Sequence, residues 1–230
     1  MNEGGGNIVN DLSGNGQTGT ITAGTWSGGI FGTCLNYNGS TTIVNCGDVS
    51  FMDNVPELTV VIAFYPVAGS STDYPKLVSK SHAIDFDILL DMRAAIEICQ
   101  VYIASDILAT PAHSIVWNTW NHVVMRYRSG ETNGKQLWLN GGLAIAETQT
   151  GVIAANANNF CIGNYSAAAR PFKGLISHTY VYNRALSASE IAESYRNPFG
   201  IFKPTFDLYL IGGIVIPGVS GGQIIMIGEF

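Results

Sequence analysis

Short runs of β-branched and aromatic residues recur along this chain with turn chemistry between them, and that recurrence constrains the fold more than any other feature. Eleven segments read as strands: Thr18–Thr22, Thr41–Cys46, Glu57–Tyr65, Lys76–Lys80, Ile84–Asp91, Ala95–Ala104, Asn121–Arg128, Lys135–Leu139, Leu143–Glu147, Phe160–Ile162 and Leu175–Tyr182. Asn38-Gly39, Gly69-Ser70-Ser71, Asn133-Gly134 and Asn140-Gly141-Gly142 punctuate them with residues that accept positive φ. Lys135–Ile145 reads as a hairpin, with Trp138 packed inward or stacked on the sheet. Strands at this spacing, with almost no helical pattern, predict an all-β, two-sheet antiparallel β-sandwich.

The one helix signal follows the last strand. Within Leu175–Tyr182, Leu175, Thr179 and Val181 alternate with Ile176, Tyr180 and Tyr182, and Asn183-Arg184 closes the run. Ser187 stands three residues before Glu190, the capping-box spacing, and Leu186 and Ile191 occupy the positions of a hydrophobic staple. A short helix near 188–195 is predicted, ended by Asn197-Pro198.

These residues carry a resemblance. Phe172–Ser187 is similar to the F-x-G-x-I-D-E-x-R-I-Y-N-R-A-L-S strand that closes laminin-G-like, concanavalin-A-like jelly-roll domains. Asn2–Asn7 and Asp11–Thr20 resemble the N-E-G-x-G and D-x-S-G-N-G-x-x-G-T elements that open them. Phe31–Gly39 resembles F-G-x-A-L-x-F-x-G, and Trp120–Val124 resembles W-x-H-V. In the family's order these anchors span residues 2 to 196.

Composition adds limits. A chain of 230 residues with 47% hydrophobic content buries a sizeable core as one sandwich. The expected division is a jelly-roll domain over 1–203 and an apolar, strand-forming tail over 204–230. A net charge of -6 with only 11 scattered Lys and Arg excludes a nucleic-acid partner. No basic stretch followed by an apolar one precedes Asn7, so a secretory signal is not expected. For the same reason Asn38-Gly-Ser and Asn164-Tyr-Ser, which match the glycosylation pattern, predict nothing. Cys34, Cys46, Cys99 and Cys161 lack metal-ligand spacing and read as buried free thiols, with a Cys34–Cys46 bridge as the alternative.

The tail changes character. Phe206, Leu208, Tyr209, Leu210, Ile211, Ile214, Val215 and Ile216, then Ile224, Ile225 and Ile227, form two apolar runs broken by Gly212, Gly213 and Pro217. Two short strands fit better than a membrane span, which needs about 20 predominantly apolar helical residues. The resemblance implies a strand before the Asn-Glu-Gly element that this chain has no room for. The tail is therefore expected to complete or cap a sheet edge, in its own subunit or a neighbour's.

Several motifs tempt. Gly14–Gly19 satisfies G-x-G-x-x-G but no helix follows to hold a phosphate, so it reads as a turn. Gly218–Gly222 matches G-x-S-x-G with no room for the Asp and His that must follow. Asp85, Asp87 and Asp91 share one strand face, as a glucanase pair would, but the Glu-x-Asp-x-x-Glu pattern of the glucanase relatives is missing and a solvent-facing role is expected. Asp11 and Asn15 are the candidate calcium ligands implied by sandwich lectins, against an Asx-turn. Ser177-His178 replaces the acidic pair of the resembled family, and His82, His113, His122 and His178 lack ligand spacing. Trp26, Tyr74, Trp117 and Tyr165 are the candidate sugar-stacking aromatics.

The resemblance, the low charge and the apolar tail together predict a non-catalytic structural or assembly protein. The expected setting is a phage virion surface (capsid decoration, head fibre or tail), with a homo-oligomer or other virion proteins as partners. The alternative is an extracellular or cell-surface carbohydrate-binding adhesion module that takes a glycan. A glycoside hydrolase is the remote third class. No cofactor is expected beyond optional calcium.

Overall fold

The computed structural model describes residues 3–69, 72–80, 86–93, 96–103, 106–165 and 169–200. Their strands, numbered in chain order, build two antiparallel sheets. The eight-stranded sheet runs β1 (Ile8–Val9), β2 (Gly19–Thr22), β5 (Ile43–Asp48), β14 (Asn159–Ile162), β7 (Lys76–Ser79), β8 (Phe86–Asp91), β9 (Ile98–Ile103), β10 (Asp106–Ala109). The seven-stranded sheet runs β13 (Gly142–Glu147), β12 (Lys135–Leu139), β11 (Asn121–Arg128), β6 (Glu57–Pro66), β15 (Lys173–Tyr182), β4 (Gly32–Asn38), β3 (Thr25–Gly29). One helix, α1 (Ala188–Arg196), and a single 3-10 turn at Ser50–Met52 complete the described residues.

Alternation along each strand places one row of side chains between the sheets. Leu58, Val60, Ile62 and Phe64 of β6 and Val123, Met125 and Tyr127 of β11 meet Val78 of β7, Phe86, Ile88 and Leu90 of β8, and Val101 and Ile103 of β9 in one cluster. Phe172 joins it edge-on to both Tyr37 and Phe64, with ring centroids 6.0 Å apart in each pair. At the far edges Lys135, fully buried on β12, reaches across to Asp106 of β10 at 2.8 Å and pairs with Glu147 of β13 at 2.5 Å. A buried cation is tolerated there because two carboxylates pair with it.

β11 and β12 coincide with the predicted segments, and α1 starts at Ala188 as its cap dictates. The capping box is formed: Ser187 Oγ accepts from Glu190 N at 3.3 Å, and Glu190 Oε2 accepts from Ser187 N at 2.8 Å. The staple residues Leu186 and Ile191 pack on Val61 and Val124, flanked by Trp138, Tyr180 and Tyr182. Trp138 therefore stacks on the outer face of the seven-stranded sheet, beside the helix.

Three expectations are corrected. β1, β3, β4 and β10 were not predicted, because the first has two residues and β3 and β4 are rich in Gly and Asn. Simple alternation fails in β15: a bulge lets Ile176 face Phe64 and His178 face Ala63, so Ile176 and Val181 both reach the core, although strict period two would separate them. Cys34 and Cys46 lie in different sheets, and all four cysteines are free, Cys46 being half-buried rather than buried. β1 pairs β2 through Ile8↔Thr20 and Val9↔Gly19 and is the outermost strand of its sheet among the described residues.

Gly14 (φ 85°) and Gly16 (φ 76°) turn the chain before β2, and no helix follows them. Residues 206–227, the domain limit at 203/204, His82 and Asp85 lie outside the described residues. Among the described residues no helix is long and apolar enough to cross a membrane.

Candidate functional site

Each sheet turns one face to the core and the other outward. On β8, Phe-Asp-Ile-Leu-Leu-Asp sends Phe86, Ile88 and Leu90 inward and Asp87, Leu89 and Asp91 outward. Cross-strand pairing then aligns Lys76, Leu89 and Gln100 in one outer row and Ser79, Asp87 and Tyr102 in the next.

Two loops rise beside these rows. Leu90 N donates to Pro75 O and Met92 N to Asp73 O, both at 2.9 Å, which holds residues 72–75 against β8. The buried Asn164 accepts from both Tyr165 N and Arg170 N at 3.0 Å, and Lys76 N donates to Arg170 O at 2.9 Å. Floor and walls enclose a cleft of about 390 Å³. Lys76, Leu89, Asp91, Gln100 and Tyr102 form its floor, and Tyr74, Arg93 and Arg170 its rim.

Charge in the cleft is organised around the floor. Lys76 and Asp87 form an ion pair with 1% and 0% side-chain exposure. Burial lowers the Lys76 ammonium below its ordinary pKa, and the Asp87 carboxylate opposes that shift without cancelling it. Asp91 receives Arg93 in two parallel bonds, Nε–Oδ1 at 2.9 Å and Nη2–Oδ2 at 2.6 Å. Those bonds hold the Asp91 carboxyl below the usual range against the opposing effect of burial. Two guanidinium groups stand near the Tyr74 ring, with Arg93 Cζ 5.0 Å and Arg170 Cζ 5.4 Å from its centroid. The Lys76 ammonium stands 5.8 Å from the Tyr102 ring centroid.

The outer face of the seven-stranded sheet is closed instead. Leu186 N donates to Thr59 Oγ1 at 3.0 Å, Thr59 Oγ1 donates to Arg184 O at 2.8 Å, and the buried Arg126 Nε donates to Leu186 O at 3.0 Å. These bonds pin the turn before α1 onto β6 and β11. Nearby, His122 and His178 stand 6.3 Å apart, His122 packing on Tyr195 at 5.4 Å and His178 on Tyr180 at 4.9 Å and Phe199 at 5.7 Å. Neither nitrogen of His122, nor Nε2 of His178, has a hydrogen-bond partner among the described residues. Burial pushes His122 down to about 4 and His178 to about 3, so both are neutral at pH 7.

Of the four sugar-stacking candidates, Tyr74 alone borders the cleft. Tyr165 sits on the Arg170 loop without lining it, Trp26 packs against the core with Nε1 donating to Gly6 O at 2.9 Å, and Trp117 Nε1 donates to Glu97 Oε1 at 3.0 Å. Asp11 accepts from Ser13 N and Gln17 N, both at 2.9 Å, and Asn15 Nδ2 donates to Ser13 Oγ at 2.9 Å, which is an Asx-turn arrangement. Burial would raise the Asp11 pKa, but these donors outweigh it and hold the carboxyl below its usual value. Among the described residues no three His, Cys, Asp or Glu side chains converge as a metal cluster.

The solvent-facing expectation for Asp87 and Asp91 is corrected, since both are buried under the cations that pair with them. Lys76, Arg93, Gln100, Tyr102 and Arg170 were missed. The outward phase of Gln100 and Tyr102 in Ile-Cys-Gln-Val-Tyr-Ile was the one signal available; Arg170 gave none.

Two antiparallel sheets enclosing one core, with a cleft across the outer face of the larger, define a concanavalin-A-like β-sandwich. The family model of the concanavalin A-like lectin/glucanases superfamily, Laminin_G_3, matches residues 38–192, and the chain belongs to that family. No curated protein matches the chain in sequence. Among solved structures it is similar to domain 4 of AbnA, a GH43 extracellular arabinanase from Geobacillus stearothermophilus in complex with arabinotriose. That match has a TM-score of 0.61 and 21% identity, covering 81% of this chain and 92% of that one. The Trypanosoma rangeli sialidase in complex with sialic acid aligns with a TM-score of 0.63 at 15% identity, over 86% of this chain but 32% of the sialidase. The CBM40 of Ruminococcus gnavus IT-sialidase, bound to α2,3-sialyllactose, aligns with a TM-score of 0.55 at 18% identity, over 70% of this chain and 96% of that one. At these identities the likeness is one of fold.

Proposed function

We propose that this chain is a non-catalytic carbohydrate-binding module that acts outside the cell and holds its glycan in the cleft across β7, β8 and β9. The observation that carries the reading is the cleft itself. It is open among the described residues, and Tyr74 and Tyr102 offer ring surface beside the amide of Gln100. The arabinotriose and sialyllactose complexes of the structural neighbours support it as analogy of fold.

Hydrolysis is disfavoured by geometry. Asp87 and Asp91 are four positions apart on one strand, hence about 13 Å. Paired glycosidase carboxylates stand about 5 Å apart in retaining enzymes and no more than about 9.5 Å in inverting ones. Each carboxylate is also already committed to a cation. The virion-assembly expectation, drawn from the resemblance, the low charge and the apolar tail, gains no support from the described residues.

A glycan panel read by calorimetry, with and without chelator, tests the proposal. Wild-type protein should bind at least one oligosaccharide, and Tyr102→Ala should weaken that binding about tenfold or more without altering the melting temperature by more than a few degrees. Binding that survives Tyr102→Ala and Tyr74→Ala unchanged puts the site elsewhere.

A further inference from the structure

Three cations border the cleft, and they are not equivalent. Lys76 is buried against Asp87, and Arg93 spends its Nε and Nη2 on Asp91 while the exposed Asp73 adds to its field. Arg170 alone has no carboxylate within ion-pair distance among the described residues. Its Nη1 meets the Thr72 hydroxyl at a long 3.4 Å, and its remaining contact is the Tyr74 ring.

The position of Arg170 is nevertheless fixed. Its N–H donates to the buried Asn164 side chain and its carbonyl accepts from Lys76 N, so both ends of the residue are tied to the sheet. A guanidinium held beside an aromatic ring with one long hydroxyl contact keeps most of its donors available, and its planar fork matches the two oxygens of a carboxylate. The half-buried setting raises the value of such a pair relative to open water.

Resting on the carbohydrate-binding reading, we infer that the cleft selects carboxylate-bearing saccharides, with Arg170 pairing the ligand carboxylate. Gln100 then addresses hydroxyl groups on the floor, and Tyr74 and Tyr102 flank the sugar ring. The carboxylate has two sources, a uronate within a polysaccharide or a terminal sialic acid.

Calorimetry on the full chain with four probes separates these: tetragalacturonate, its methyl ester, 3′-sialyllactose and lactose. At low salt one acidic probe should bind about tenfold or more tighter than its neutral counterpart, and which one does so identifies the source. Raising the salt should shrink that preference. Arg170→Gln should reduce it to about twofold, and Arg170→Lys should retain part of it as a point charge. Melting temperatures report whether each variant folds. If the neutral partners bind as tightly as the acids, or the glycan panel yields only neutral ligands, the inference falls and carbohydrate binding stands. A preference that persists in Arg170→Gln also overturns it. If no glycan in panel or probe set binds, both fall.

Discussion

Val61, Val124, Leu186 and Ile191 on one outer face of the sandwich, and Lys76, Asp87 and Asp91 on the other, answer the same problem in opposite ways. A sheet face that is not in the core must be covered or made compatible with water. The seven-stranded sheet is covered: α1 lies on it, and the bonds from Thr59 and Arg126 lock the approach to the helix. The eight-stranded sheet instead carries charges paired side by side, under a rim of Tyr74, Arg93 and Arg170. Apolar coverage seals a face, whereas paired charges stabilise one while leaving it accessible. Function is expected where the second solution was used.

The largest effect should come from unbalancing the open face. Asp87→Ala strands the buried Lys76 ammonium and should cost about 3–5 kcal/mol in urea unfolding. The double change Lys76→Met with Asp87→Leu should recover most of that loss. A single variant that loses less than about 1 kcal/mol would mean that water reaches the pair.

Next comes the covered face, through pH. His122 and His178 have folded pKa values of about 4 and about 3, below the roughly 6.5 of the unfolded chain. The unfolded state therefore binds protons first as pH falls, so stability is complete above pH ~6.5 and is lost on acidification toward pH ~4. The expected loss is about 3 kcal/mol for each imidazole, and replacing both residues by Phe should flatten the profile in that window. Losses below pH ~4 should remain, because carboxylates with depressed pKa values such as Glu190, at about 2, give up their contribution only there. An unchanged profile in the double variant would place the titration on other groups.

A smaller effect belongs to the helix that makes the cover. Ser187→Ala removes the cap acceptor for Glu190 N and should cost about 1 kcal/mol, with glycan affinity unchanged. Smallest is Arg170→Gln, which should alter stability by about 0.5 kcal/mol or less while changing ligand preference. If the first lowers affinity, or the second unfolds the protein, the two faces are not independent.

The two faces also differ in how far the sequence revealed them. The cover was legible because its signals are local: Ser187 and Glu190 form a cap three residues apart, and Leu186 and Ile191 flank it. β11 and β12 were legible because their alternation is uninterrupted. β15 was legible as a strand but not in its phase, since one extra residue at the bulge reverses the facing without any marker in the residue types. The cleft was hidden for a different reason. Tyr74, Gln100 and Arg170 come from separate segments, and only the strand order β14-β7-β8-β9 brings them together. Asp87 and Asp91 showed their shared face but not their burial, which depends on cations from β7 and the loop after β8.

The most direct test of the open-face account is a ¹⁵N-edited NMR titration of the full chain with the tightest glycan from the panel. The account predicts that the largest amide shifts fall on Tyr74, Leu89, Gln100, Tyr102 and Arg170, with Val124, His178 and Ile191 unmoved. Shifts centred on His178 and Tyr195, or on Trp117, would contradict it.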